Sequence, residues 1–229
     1  HGQSTWNLEK RFTGWVDVDL TEEGKLEAEK AGSLIKNRDV KIDFYYSSLQ
    51  LRANKTLKII QKILDDKKNY KRAWELNERH YGALTSLNKI EMSKKLGEDK
   101  VHEFRRSWDV KPEPLSKKSP YHPINIEVYK DIPKEIIPDT ESLKDTYERV
   151  LKYFKNEMEE KLIKGNILVS AHGNSIRALC KYLFKLDNNK ISKLEIPTGN
   201  PLMIDLNKNL EIKSCEYLDK ERAKDLLVF

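Results

Sequence analysis

Ile167-Leu168-Val169-Ser170-Ala171-His172-Gly173-Asn174-Ser175 decides the fold. Its first five residues form a short apolar run, the pattern of a strand buried on both faces of a parallel sheet. The chain turns at His172-Gly173, and Ser175–Leu186 reads as a helix that begins at once. In parallel sheets ligands gather beyond the carboxyl ends of strands, where helix N-termini present free N–H groups. His172 and Asn174 are therefore expected at a phosphate site, with Gly173 letting the backbone approach closely. Upstream, Thr140–Lys164 reads as a long helix opened by Thr140-Glu141-Ser142, with Leu143, Val150, Leu151 and Phe154 facing inward. Earlier still come a helix from Glu22 to about Asn37 with Thr21 as its cap, a strand Phe44–Tyr46, a helix Arg52–Lys68 and a strand Lys71–Leu76. Ile90–Gly97 and Lys100–Trp108 read as short helices, and Leu202–Leu206 as the last clear strand. Alternating strands and helices predict an α/β fold of three layers, a mostly parallel sheet with helices on both faces. Residues 111–139 hold most of the chain's eight prolines and no sustained period. They read as a long Pro-rich insertion within a single domain spanning 1–229.

At 229 residues and 26.9 kDa, the chain can bury roughly 70% of its unfolded surface without disulfides or metals. Charged residues make up 35% and hydrophobic ones 38%, yet four Trp, ten Tyr and six Phe supply the core that a disordered chain lacks. No apolar run approaches a membrane span. The net charge of +6 comes mostly from scattered Lys, not from cations clustered with aromatics on one stretch, which argues against nucleic acid and leaves a small anion as the partner. Cys180 and Cys215 form no CxxC pair, which suits a reducing, cytoplasmic setting.

No P-loop, G-x-G-x-x-G, G-x-S-x-G or H-E-x-x-H motif occurs. The five histidines are few enough for their placement to inform. Two stand in His-Gly-x-Ser, at His1-Gly2-Gln3-Ser4 and His172-Gly173-Asn174-Ser175. Each alone is as readily a structural histidine at a turn; the repeat favours a shared role. Trp74–Gly82 packs Glu78, Arg79, His80 and Tyr81 into one segment leaving a strand. It reads either as a solvated loop with an incidental Glu–Arg pair, or as Glu78 moving a proton while Arg79 and Tyr81 hold an anion. Arg105-Arg106, in a helix that otherwise uses Lys, and Arg52, just past the Ser47-Ser48 strand end, suit bidentate phosphate or carboxylate binding, or else form surface pairs.

Taken together, His1–Asn7, Phe12–Trp15, Leu76–Leu84, Leu87–Lys89, Arg105–Ser107 and Ala171–Arg177 resemble the cofactor-dependent phosphoglycerate mutases, a family of histidine phosphatases. The resemblance runs from His1 to about Leu218 and implies a phosphoglycerate mutase-like fold with ping-pong phosphoryl transfer. It makes His1 the nucleophile. Arg52, His172, Asn7, Gly173 and Asn174 would hold the transferring phosphoryl group, and Glu78 would shuttle the substrate proton. Gly2, Ser4, Thr13, Gly14, Arg79, His80, Tyr81, Lys89, Arg105 and Arg106 are implied to line the glycerate site. It further implies 2,3-bisphosphoglycerate as primer, no metal, phosphoglycerates as substrates, no nucleic-acid or membrane partner, and a homodimer or homotetramer.

Several positions depart from the family's pattern. The family places an Arg before its nucleophilic His at the end of a central strand, and both are expected upstream of His1. Gln3 replaces the commoner Glu, Gln50-Leu51 replaces an apolar residue followed by a cation, and Asn200 stands where an apolar residue is usual. The mobile basic tail is short or absent in a chain ending at Phe229. The rival readings are a bisphosphoglycerate mutase, against which Gly14 argues because that subfamily resembles this chain but carries Ser there, a phosphatase, and an inactive phosphate-binding scaffold.

Overall fold

The computed structural model describes residues 1–223; the expectation of a short tail lies partly outside them. A one-turn helix α1 (Thr5–Leu8) is closed by a reciprocal Ser4–Asn7 cap. Helix α2 (Glu22–Lys36) starts at Thr21, whose hydroxyl accepts from the Gly24 amide. Then come β1 (Phe44–Ser47), α3 (Leu51–Ile63), β2 (Tyr70–Arg72), α4 (Lys89–Leu96) and α5 (Glu98–Arg106). Beyond the insertion lie α6 (Leu143–Tyr153), α7 (Glu159–Lys164), β3 (Ile167–Ser170), α8 (Gly173–Leu183), α9 (Asn188–Lys193), β4 (Leu202–Leu206) and β5 (Ile212–Tyr217).

β1 is the middle strand of a parallel sheet ordered β2-β1-β3, with Tyr45 opposite both Tyr70 and Leu168. β4 and β5 form a separate antiparallel pair. Between β3 and β4 lies an apolar slot of about 370 Å³, lined by Leu168, Val169, Leu202, Met203 and Ile204 among others. His1 joins the two sides: its backbone nitrogen donates to Ala171 O (3.2 Å), and its carbonyl accepts from Gly199 N (2.7 Å).

Several sequence expectations change in detail. The second strand ends at Arg72, and Trp74–Leu76 is a 3-10 turn instead. The long helix begins later, at Leu143, because Ser142 and Asp145 cap it reciprocally. It is also interrupted by a π-helical segment, Phe154–Met158, whose end residues Phe154 and Met158 both reach the core beside Tyr46, Leu76, Val150 and Ala178. Helix α8 starts two residues early, at Gly173. The insertion is packed, not loose: Tyr129, Ile132 and Ile137 bury Trp15, and the Tyr129 hydroxyl donates to Trp15 O (2.5 Å). Two of the polar departures have partners here. Asn200 pairs with the Asp219 backbone in both directions (2.9 and 3.0 Å), and Gln3 Oε1 accepts from the Thr21 hydroxyl (2.9 Å).

Candidate active site

The loops that follow β1, β2 and β3 converge at the carboxyl end of the parallel sheet, and His1 lies against them. The His1 and His172 rings stand 4.9 Å apart between centroids. His1 Nδ1 lies 2.5 Å from Gly2 O. A carbonyl only accepts, so Nδ1 carries a hydrogen, and in the neutral ring the lone pair is on Nε2. Gly2 cannot be larger, since a Cβ there would fall 2.0 Å from Gly24 O of α2. Its amide donates to Thr56 Oγ1 of α3 (3.0 Å). His172 is buried, with Nε2 2.7 Å from Ser48 Oγ and Nδ1 without a hydrogen-bond partner among the described residues. Burial, then the Arg52 charge, hold its pKa well below the ordinary range, so the ring is neutral.

Glu78 is set by its backbone surroundings. Its Oε1 accepts from the amides of Arg79 (2.7 Å) and Asn174 (3.2 Å). Its own amide donates to Gln50 Oε1 (2.8 Å), while Gln50 Nε2 donates to Gly14 O (2.9 Å). Beneath the loop, Arg149 of α6 donates to Glu75 O, Asn77 O and Glu78 O and clasps both Glu141 oxygens, all at 2.7–3.0 Å. Glu141 in turn accepts from His80 N and donates its amide to His80 O, at 3.0 Å each. Gly14 has φ +54°, and a Cβ would press on Arg79 O and Tyr81 N at 3.3 Å; glycine is what this turn requires.

Cations surround this core. Arg52 is 1% exposed and donates to Val16 O (2.9 Å) and Gly14 O (3.0 Å). Arg79 is wholly buried beside the Tyr81 ring (4.7 Å), and none of its three guanidinium nitrogens has a hydrogen-bond partner among the described residues. Burial pushes Arg52, Lys89 and Arg105 below their ordinary values and Arg177 down to about 10. Burial works to raise the Tyr81 hydroxyl, but Arg79, then Lys89 and Arg106, outweigh it and hold it below the ordinary value. Among the described residues six basic side chains thus meet three carboxylates, Asp17, Glu78 and Glu195, which leaves the site short of negative charge.

Of the residues singled out in the sequence, the structure gathers His1, Gly2, Gly14, Arg52, Glu78, Arg79, Tyr81, Lys89, Arg105, Arg106, His172, Gly173 and Asn174 here. Three are spent elsewhere. Ser4 and Asn7 direct their hydroxyl and Oδ1 at each other in the α1 cap, and His80 is buried between Trp15 and His122, its Nδ1 accepting from Gly82 N (2.8 Å). Thr13 is buried at the start of the Gly14 turn. Sequence reasoning missed Ser48, Gln50, Arg149, Arg177 and Glu195. Only Arg177 left a signal, since it stands three residues after Asn174, on the same helix face, and donates to Asn174 Oδ1 (3.2 Å). Among the described residues no three His, Cys, Asp or Glu side chains group as metal ligands, and no helix is long and apolar enough to cross a membrane.

The sequence matches a family of known proteins. Residues 1–209 match the histidine phosphatase superfamily (branch 1), and the chain belongs to it. It is 69% identical to a 2,3-bisphosphoglycerate-dependent phosphoglycerate mutase of Pelagibacter ubique (strain HTCC1062), covering 100% of this chain and 97% of that protein. It is 48% identical to the enzyme of the same name from Borreliella burgdorferi (strain ZS7), covering 96% and 90%. In fold it is similar to a mycobacterial glucosyl-3-phosphoglycerate phosphatase (TM-score 0.68, 19% identity, 95% and 93% covered). A phosphoglycerate mutase from Thermus thermophilus shares the fold as well (0.59, 21%, 94% of each).

Proposed function

We propose that this chain interconverts 3-phosphoglycerate and 2-phosphoglycerate in glycolysis and gluconeogenesis, through phosphohistidine at His1. The observation that carries the reading is the buried Arg79 guanidinium, without a hydrogen-bond partner among the described residues, on the loop whose Glu78 bears on His1. A desolvated cation with no protein anion is stable only where a ligand supplies one. The phosphoryl group on His1 Nε2 passes in line to the free hydroxyl of 3-phosphoglycerate: the N–P bond breaks, a P–O bond forms, and Glu78 takes the hydroxyl proton. His1 Nε2 then attacks the other phosphorus of the bisphosphate so formed, that P–O bond breaks as the N–P bond forms again, and Glu78 returns the proton to the oxygen released as 2-phosphoglycerate. The Gln50 amide donates to Ser48 Oγ (3.1 Å), which leaves the Ser48 hydrogen for His172 Nε2. The His172 proton then sits on Nδ1, as a donor to the phosphoryl oxygens. Arg52 and the Asn174 amide end add positive potential where a loose transition state spreads its charge. Arg79, Tyr81, Lys89, Arg105 and Arg106 hold the carboxylate end, with the Thr13-Gly14 turn beside them.

2,3-Bisphosphoglycerate supplies the phosphoryl group that primes His1, and the orphaned Arg79 with its neighbouring cations fits so highly charged a molecule. The protein works in the cytoplasm as a homodimer or homotetramer of single-domain subunits. Incubation with 2,3-bisphosphoglycerate labelled in its phosphoryl groups tests the reading. Acid-labile label on His1, together with turnover of 3-phosphoglycerate, is expected; label elsewhere, or none, would discard it.

A further inference from the structure

The cation cluster contains a carboxylate that the reaction does not use. Glu195 follows α9 and is pinned through its backbone, where Tyr217 Oη donates to Glu195 O (2.7 Å). Its side chain is half exposed, yet both of its oxygens lie 3.2 Å from Arg106 Nη2. The Arg106 side chain is only 12% exposed, and Nη1 of the same residue turns back to Arg105 O (3.3 Å). Glu195 also lies 3.7 Å from Arg177 Nη2. Arg177 is held by Leu194 O (2.8 Å) and donates to Asn174 Oδ1, and Asn174 touches both Tyr81 Oη and Glu78. One half-exposed acid thus bears on buried Arg177 and mostly covered Arg106 at the edge of the anion pocket.

We infer that Glu195 is a specificity-determining residue: a resident anion that occupies Arg106 when no ligand is bound and that sets how much negative charge the pocket tolerates. This rests on the assignment of Arg106 to the carboxylate end of the substrate. An incoming anion competes with Glu195 for the same guanidinium, and a ligand with more charge meets more repulsion from it. Because the carboxylate is half in water, its swing outward is cheap, and its effect is a modest bias, not a block. The bias keeps a bisphosphate that binds through two charged ends from saturating the site at the expense of monophosphates.

The experiment replaces Glu195 by Gln, which keeps a hydrogen bond to Arg106 and removes the charge, and by Ala, which removes both. KM for 3-phosphoglycerate is measured by turnover, and Kd for 2,3-bisphosphoglycerate by calorimetry, in low and high salt. Each variant is expected to lower KM about two- to fivefold, the range of a half-exposed pair of charges. Kd for the bisphosphate should fall further, and the difference should shrink in high salt. A KM that is unchanged or raised in both variants, with turnover intact in the unmodified protein, overturns the assignment of Glu195. Absence of mutase turnover in the unmodified protein would instead overturn the reading of the function, so the two failures are distinguishable.

Discussion

Replacing Glu78 by Gln isolates proton transfer from everything else the residue does. The Gln carbonyl oxygen can take the place of Oε1, where it still accepts from Arg79 N at 2.7 Å and Asn174 N at 3.2 Å. Arg149 and Gln50 hold only the backbone of residue 78, so the loop keeps its position. What disappears is a general acid–base, worth about 10²–10⁴-fold, or roughly 2.7–5.4 kcal/mol of barrier. KM should hold or fall, because one negative charge leaves a pocket of six cations. Conversion of 3-phosphoglycerate is followed by a coupled assay for the 2-phosphate isomer. A second donor, p-nitrophenyl phosphate, has a leaving group that needs little protonation, so label transfer from it to His1 should be nearly unaffected. A kcat within tenfold of the unmodified protein together with a raised KM would refute the reasoning and leave Glu78 as a positioning group.

His1→Ala should leave less than about one part in a thousand of mutase turnover, since the covalent step has no substitute, and residual phosphate labelling would show otherwise. Arg105→Ala should raise KM for the glycerate far more than it slows phosphoryl transfer to His1, a split read from single-turnover and steady-state rates. Arg149→Ala strips partners from buried Glu141 and from the Glu75–Glu78 carbonyls, and should cost about 3–5 kcal/mol in urea unfolding. With protein cations carrying the electrostatics, turnover should survive chelators and fall with vanadate; silencing by EDTA would contradict that. Burial lowers His80, to about 3, and His172 as well, so both stay neutral when folded and gain protons only on unfolding. The unfolded chain therefore binds more protons below about pH 6.5, and stability should fall by up to about 1.4 kcal/mol per pH unit for each histidine as pH drops from there. Urea midpoints at pH 7 and pH 5 check the sign.

The alternation of strands and helices was legible because buried elements carry their own pattern: the apolar run Ile167–Ser170 marks a strand, and Leu57 and Ile60 mark the buried face of α3. β5 was not: Ile212-Lys213-Ser214-Cys215-Glu216-Tyr217 exposes polar residues mid-strand and has no apolar alternation to declare it. α1 and α9 are helices of only four and six residues held by the caps Ser4 and Asp187, which outweigh weak local propensity. In the site, the residues assigned to the reaction stand in short motifs that a sequence displays. Those that hold them in place do not. Arg149 meets Glu78 across 71 residues and Glu195 meets Arg106 across 89, and nothing local marks either pair. His80 shows the opposite error, a motif residue whose ring is used for packing.

The Arg79 guanidinium, without a hydrogen-bond partner among the described residues, has a thermodynamic sequel. A guanidinium withdrawn from water without an anion makes the empty protein less stable than its packing alone would allow. Folding and small anions are then linked: whatever binds the folded chain alone stabilises it by RT ln(1 + [L]/Kd), about 2.7 kcal/mol at a hundredfold excess over Kd. For a chain of this length that corresponds to a rise of roughly 5–11 °C in melting temperature. Phosphoglycerate would act as a structural component as well as a substrate, and a protein depleted of its metabolite would be the one most exposed to unfolding.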